Sequence, residues 1–303
     1  MNRGRAVLIL LLLPLLGGAP RPSGEAWRRV GEPSGVTIDP QGGLQLSVSD
    51  DRSIAGALST GSVTLSGGAV LVTATVAHAA PGAVTFALID AESGDSVAHW
   101  RTPRATEAAT QVSTVLEVAN DTPSARLFVG AHGVASTARV TDVRFTPTKR
   151  RVDVRPASYG ALADGDRSAG QVFRASGRKL DAVAFRVRQL GLDQPDGPDL
   201  RVAVYAWLGP KGRGERPLAE RLVPRRTVPP VGAGEIEVTV PFGTSLTPGQ
   251  PYLLEYSPAG PCEPPAAFLL YCGEDSYPHG FRCENGVPTP DRWDLHLRTF
   301  ESE

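Results

Sequence analysis

The chain has 303 residues, and 33 glycines, 27 prolines and one methionine with 6% aromatic residues are typical of many short strands joined by tight turns. This composition argues against a helical bundle, and the length indicates about two domains. The formal net charge of −1 leaves no basic surplus to neutralise phosphates, which excludes nucleic acid as the expected partner.

The N-terminus has a basic start, a short apolar run at residues 6–16 and an exit rich in small residues. This order is typical of a secretory signal peptide. We predict that residues 1–26 are removed, with cleavage after Ala26 or after Ala19. The apolar run is shorter than the roughly 20 residues of a transmembrane helix, so no membrane span is expected after cleavage. An uncleaved anchor is the alternative. The mature protein is expected to be secreted, periplasmic or on the cell surface.

Alternating apolar and polar residues recur through residues 27–148, and this period of two predicts strands with one buried face. The predicted strands are residues 44–48, two strands within 62–76, then 84–88, 97–101, 114–118, 125–130 and 138–146. Strands of this number and spacing predict a β-sandwich domain.

The polar stretch at residues 147–151 is predicted to link this domain to a second one at residues 152–303. The second domain has predicted strands at residues 171–175, 181–190, 200–207, 235–240, 252–257, 266–272 and 294–300. Pro241 is expected to end its strand because it cannot donate a ladder hydrogen bond, and residues 209–230 are predicted to form a long surface excursion. The predicted fold is all-β, with two consecutive antiparallel, jelly-roll-like β-sandwich domains after the signal peptide.

The second half resembles secreted bacterial jelly-roll modules that often close larger extracellular proteins. The resemblance lies in pattern and order, through Gln171-Val-Phe, Leu180-Asp-Ala-Val-Ala-Phe, Asp199-Leu-Arg-Val-Ala-Val-Tyr, Leu246-Thr-Pro-Gly-Gln-Pro-Tyr, Tyr277-Pro-His-Gly and Asp294-Leu-His-Leu-Arg-Thr-Phe. The first half is more loosely similar to galactose-binding-like and carbohydrate-binding jelly rolls, on a closing strand that reads Thr141-Asp-Val-Arg-Phe. These resemblances imply binding modules.

Four residues are candidate ligand contacts. Arg201, Tyr205 and Trp207 share one face of a predicted strand, and Trp100 lies between His99 and Arg101. An aromatic ring can stack on the apolar face of a sugar while a polar neighbour bonds to its hydroxyls. The alternative in each case is that the rings fill the core between the sheets.

Asp142, on the last strand of the first half, is a candidate ligand for a structural calcium ion, although calcium needs six to eight oxygen ligands and the others are not evident. No other cofactor is expected. Cys272 and Cys283 flank a turn-rich loop and are predicted to form a disulfide, with Cys262 left over; three reduced cysteines are the alternative.

A dense set of titratable residues lies near the C-terminus, namely Glu274, Asp275, His279, Asp291, Asp294 and His296. Such groups can act as general acids and bases, but a solvated loop is the simpler explanation, and no nucleophile elbow, zinc-protease or phosphate-loop motif accompanies them. The sequence therefore favours an exported, non-catalytic binding protein with carbohydrate as its favoured ligand. A structural or adhesion protein is the alternative, and a hydrolase that uses the C-terminal cluster is a third. The sequence does not determine the oligomeric state.

Overall fold

The computed structural model describes residues 27–31, 35–48, 54–65, 68–78, 83–102, 109–118, 123–132, 136–155, 159–165, 167–190, 197–230, 234–261, 267–274, 277–290 and 293–303. Over these residues the regular structure is all-β, apart from short 3₁₀ turns such as Gly209–Lys211 and Arg225–Thr227. The predicted signal peptide lies outside them. A membrane-spanning helix is not found in this part of the chain.

The first half forms two facing antiparallel sheets. One has the order β1-β4-β10-β7-β8, with the short β5 beside β10, and the other has the order β2-β3-β11-β6-β9. The strands are β1 Trp27–Gly31, β2 Val36–Ile38, β3 Leu44–Val48, β4 Ile54–Ser59, β5 Val63–Thr64, β6 Gly68–His78, β7 Ala83–Asp90, β8 Ser96–Arg101, β9 Thr110–Glu117, β10 Ser124–His132 and β11 Ser136–Val154.

The core of this sandwich follows the predicted alternation. Along β3, Leu44, Leu46 and Val48 are buried while the residues between them are exposed. They face Phe86 and Val129 from the opposite sheet in one continuous apolar cluster. A strand with this period of two buries only one of its faces, so the alternate side chains of the same strand remain exposed at the surface.

The second half is also a sandwich. One sheet has the order β16-β15-β18-β13-β20-β21, and the other joins β12, β19, β14 and β23 to β11, with β17 on β14 and β22 on β19. The strands are β12 Tyr159–Ala163, β13 Ala169–Arg174, β14 Lys179–Leu190, β15 Leu200–Ala206, β16 Ala219–Val223, β17 Ile236–Ser245, β18 Pro251–Pro258, β19 Ala267–Glu274, β20 Phe281–Glu284, β21 Val287–Pro288, β22 Trp293–Leu295 and β23 Leu297–Ser302.

Two of the predicted local features are wrong. Pro241 does not end its strand, because β17 continues through it to Ser245 and pairs Pro241 with Ala182 beside a bulge in the register. Among the described strands β17 pairs only with β14, so it lies at an edge, where a proline needs no ladder donor.

The polar link is the second. Residues 147–151 lie inside β11, whose Lys149 pairs with Gly68 on one side and with Glu301 on the other. The strand therefore belongs to both sandwiches. It joins the sheet that contains β3 and β6 to the sheet of the second half that contains β23. The division into independently folding domains at 27–148 and 152–303 stays a prediction.

The two halves also touch through side chains. Leu71 and Val115 of the first half pack with Ala182, Ala184 and Phe300 of the second in a small apolar cluster. Beside it, the Oγ of Ser113 donates to the carbonyl of Thr239 at 2.6 Å.

A charge cluster continues this junction. The side chain of Arg298 is 8% exposed, donates from Nη1 to Oε1 of Glu237 at 2.7 Å, and pairs through Nη2 with Glu117 of the first half. Asp153 lies 3.8 Å from Nε, and His296 lies 3.1 Å from the other oxygen of Glu237. Burial lowers the pKa of Arg298, and the neighbouring carboxylates offset part of the free-energy cost of burying its charge.

Candidate functional site

The predicted ligand residues of the second half lie on the outer face of the sheet that contains β15. Val202 and Val204 point into the core, so Arg201, Tyr205 and Trp207, which have the opposite parity along the strand, point outward. Strand register extends this surface across the sheet, because Tyr205 pairs with Leu253, Leu253 with Val172, and Val172 with Phe281. We call this surface the Trp207 face.

Tyr205 is not an open platform. Its side chain is 3% exposed and packs with Val172, Leu253 and Cys283. The guanidinium of Arg213 lies over its ring, 4.5 Å from the centroid, and covers it from the solvent side. The guanidinium of Arg213 therefore already stacks where a sugar ring was expected to lie, and Tyr205 is covered.

Trp207 is half-buried, and its ring meets that of Phe281 edge-to-face, with centroids 5.3 Å apart. Two strands lie between β15 and β20, a distance of roughly 14 Å across the sheet, so both side chains must lean over the sheet toward each other. Phe281 is 37% exposed. Together the two rings are the accessible aromatic part of the Trp207 face.

Arg201 is fixed by two partners. Its Nη2 donates to the hydroxyl of Tyr205 at 3.0 Å, and Nε and Nη2 both donate to Glu220 on β16, at 3.0 and 2.8 Å. Burial opposes the charge, but the hydrogen bonds to Tyr205 and Glu220 outweigh it, so the pKa of Arg201 is raised. This fork is held as a fixed, permanently charged donor at one end of the Trp207 face.

A buried carboxylate lies at the centre of this surface. Glu255 is 3% exposed, and its Oε1 accepts from Nη1 of Arg213 at 2.7 Å. Burial raises the pKa of Glu255, and the charge of Arg213 offsets part of that rise. The pair anchors the loop that covers Tyr205. Neither Arg213 nor Phe281 was among the predicted site residues, because nothing in a loop sequence indicates which strand it returns to.

Trp100 points to the inner side of its sheet. It pairs with Phe86 across β7 and β8, with ring centroids 6.0 Å apart, and packs on the first core. Its neighbours His99 and Arg101 are exposed on the other side. The structure thus separates the aromatic ring from the polar residues that were expected to work with it.

Asp142 occupies a bulge. The register of β11 against β6 shifts between Thr141 and Arg144, and Asp142 takes a φ of 51° there. Asp is one of the few residues that tolerate this left-handed conformation. Its side chain is exposed, and within the described residues no three His, Cys, Asp or Glu side chains converge as a metal site would require.

The predicted disulfide is wrong. Cys272 and Cys283 are both buried thiols and are not bonded to each other. Cys272 faces the core between the sheets, whereas Cys283 belongs to the opposite sheet and faces outward beside Tyr205. Facing sheets lie about 10 Å apart, beyond the reach of a disulfide. Burial, and then the Glu255 charge, raise the pKa of Cys283 to about 12. Cys262 lies outside the described residues.

The C-terminal titratable residues do not form one group. Asp294 accepts from Nε2 of Gln171 at 2.7 Å, and His296 faces Glu237 at the junction of the two halves. His279 meets Tyr277 ring to ring at 6.0 Å. The side chains of Glu274, Asp275 and Asp291 lie outside the described residues. In the described part of the chain these side chains make separate contacts at different places in the second half.

No protein-family model matches the sequence, and no curated protein matches it. Among solved structures, the N-terminal CBM22-1-CBM22-2 tandem domain of Paenibacillus barcinonensis Xyn10C aligns over 90% of this chain and 93% of that one, with 10% identity and a TM-score of 0.30. A likeness this distant carries no argument about what the present chain binds.

Proposed function

We propose that this chain is an exported, non-catalytic binding protein that takes carbohydrate on the Trp207 face. The observation that carries the proposal is the edge-to-face pair of Trp207 and Phe281, both partly accessible and both on the face that holds Arg201 and Arg213. The resemblance of the second half to secreted jelly-roll modules agrees with it.

The side chains of the Trp207 face can bind a sugar ring with modest affinity. The accessible part of Trp207 or Phe281 supplies a surface for the C–H face of a pyranose. Arg201 precedes Trp207 by six residues, roughly 20 Å along the strand direction, and together with Glu220 it supplies a fixed donor and an acceptor for the hydroxyl groups of a neighbouring sugar unit of an oligosaccharide. Tyr205 does not contact ligand in this arrangement, because Arg213 covers it.

A glycan array followed by affinity electrophoresis tests the proposal. The wild type should be retarded by at least one immobilised polysaccharide, and Trp207→Ala should lose that retardation. Trp293→Ala is the matched control, since Trp293 is 36% exposed and lies on β22 in the opposite sheet. A half-buried ring costs less than the 3–5 kcal/mol of a buried aromatic, about 1–3 kcal/mol, so both variants should remain folded at 20 °C. Retention that survives Trp207→Ala would contradict the proposal.

A protein partner is the second candidate, and a specific observation favours it. Leu222 and Val287, on the two edge strands of the same sheet, are 57% and 63% exposed. An edge strand has unpaired backbone groups that can pair with another chain, and an exposed apolar side chain on that strand adds contact area. If the array is blank, sedimentation of the wild type against Leu222→Ser tests self-association through this edge.

A further inference from the structure

The first sandwich carries a second outer face, on which His99 and Arg101 lie. Strand register places two rows of outward side chains across β1, β4, β10, β7 and β8. The first row is Arg28, Leu58, Phe128, Ala87 and His99, and the second is Val30, Gly56, Gly130, Thr85 and Arg101. The residues between them, such as Ala57, Val129 and Phe86, fill the core. We call this surface the Phe128 face.

The far end of the Phe128 ring lies against two glycines. A Cβ atom at Gly130 would lie 2.4 Å from Cζ of Phe128, and one at Gly56 would lie 2.5 Å from the same ring. Only hydrogen atoms at both positions leave room for the ring against the sheet. A ring held in this way turns its other side toward solvent, and Phe128 is accordingly only half-buried.

Basic side chains surround this ring. Arg28 and His99 stand two strands away on either side, roughly 10 Å from Phe128, and Arg101 ends the second row; all three are exposed. Arg126 precedes Phe128 by two residues on the same strand face. These three arginines form no ion pair in the described part of the chain, and the ten positions of the two rows include no carboxylate.

Two buried polar atoms on this face lack hydrogen-bond partners among the residues that the structure describes. Thr85 is 8% exposed, and its hydroxyl, between Gly130 and Arg101 in the second row, is bonded to nothing. Nε of Arg126 is buried in the same state. Buried polar groups are normally satisfied, so this face offers a donor and a hydroxyl that a ligand can satisfy.

We propose that the Phe128 face binds an acidic saccharide. A pyranose ring stacks on Phe128, its hydroxyls meet Thr85, and its carboxylate or sulfate pairs with Arg28 or Arg101. An aromatic ring with unpaired guanidinium groups on both sides suits a sugar that carries negative charge. This site lies in the other half of the chain from the Trp207 face and stands or fails independently of it.

Isothermal titration with an oligogalacturonide and with a neutral galactan oligosaccharide of equal length tests this. The wild type should bind the acidic ligand at least tenfold more tightly than the neutral one, and binding should weaken as NaCl is raised from 20 to 200 mM. The double variant Arg28→Gln/Arg101→Gln should bind the acidic ligand at least tenfold more weakly. Its matched control is Arg29→Gln/Arg144→Gln, which removes the same charge at exposed positions off this face and should bind within twofold of the wild type.

Two further variants separate the sites. Phe128→Leu should weaken acidic-saccharide binding, whereas Trp207→Ala should leave it unchanged. Melting temperatures confirm that each variant is folded, and Arg28 and Arg101 have no ion pairs whose loss would destabilise the protein. The proposal is overturned if the acidic and neutral ligands bind alike or not at all, if the arginine variants match their control, or if sodium sulfate alone competes as well as the oligosaccharide.

Discussion

Coupling between the two halves can be measured on Arg298 and Glu117, which join β23 to β9 across the junction. The perturbation is a double-mutant cycle of Arg298→Met and Glu117→Gln. Methionine keeps an apolar stem near Phe300, over whose ring the guanidinium lies at 5.1 Å, and glutamine keeps the shape of the glutamate. The cycle therefore isolates the charge interaction from the packing.

The expected magnitude follows from exposure. Removing one partner of a fully buried pair costs 3–5 kcal/mol, and exposed pairs give about 0.2–1 kcal/mol. The Arg298 side chain is 8% exposed but that of Glu117 is 30% exposed, so water partly screens the pair. We expect a coupling energy of about 1–2 kcal/mol, between these limits.

Urea denaturation of the four proteins gives the coupling energy, and Arg186 with Glu235 supplies the control cycle. Those side chains are 40% and 35% exposed, and both residues belong to the second half, so their coupling should fall within the range of exposed pairs. A coupling between Arg298 and Glu117 no larger than this control would refute the view that a desolvated charge cluster holds the halves together.

Three further predictions follow from buried groups. Tyr256 is fully buried and its hydroxyl has no hydrogen-bond partner in the described part of the chain, so Tyr256→Phe should raise the free energy of unfolding by about 1 kcal/mol in urea titrations; a loss of stability would reveal a partner for the hydroxyl. Because the pKa of Glu255 is raised, the folded state holds this proton more tightly than the unfolded chain, and the group's contribution to stability falls as pH rises from about 4.3 through the folded value. Wild-type stability minus that of Glu255→Gln should therefore decrease between pH 4 and pH 7, and an increase would contradict the assignment. Non-reducing peptide maps should contain no Cys272–Cys283 cross-link, and the native Cys283 thiol, 1% exposed, should react with iodoacetamide only on unfolding; rapid labelling of the native protein would contradict this burial.

The strands could be predicted from the sequence because alternation is a local property. Leu44, Leu46 and Val48 define both the strand and its buried face without any knowledge of the neighbouring strand. Other local rules, that proline ends a strand and that a polar stretch is a linker, failed at Pro241 and at residues 147–151. There the outcome depends on position within a sheet: an edge strand tolerates proline, and a polar strand is stable where two sandwiches share it.

The candidate sites depended on contacts that a sequence does not contain. Strand parity correctly placed Tyr205 and Trp207 on one face, but the arrival of Arg213 from a distant loop decides that Tyr205 is covered. Trp100 was predicted to contact ligand because it is a tryptophan, but its position along the strand turns the ring toward the core. The aromatic ring on the outer face of that sheet is Phe128, which lies on another strand. Only the pairing register across five strands places the Phe128 ring between Arg28 and Arg101.

The most direct test of the proposed function is a crystal structure of the protein with the oligosaccharide that binds most tightly on the array. The account predicts a pyranose ring against Trp207 or Phe281, with a sugar hydroxyl within hydrogen-bond distance of Arg201 or Glu220 and with Arg213 still lying over Tyr205. An oligosaccharide bound elsewhere in the second half would contradict the account. A structure in which other residues of this chain cover Trp207 and Phe281 would also contradict it.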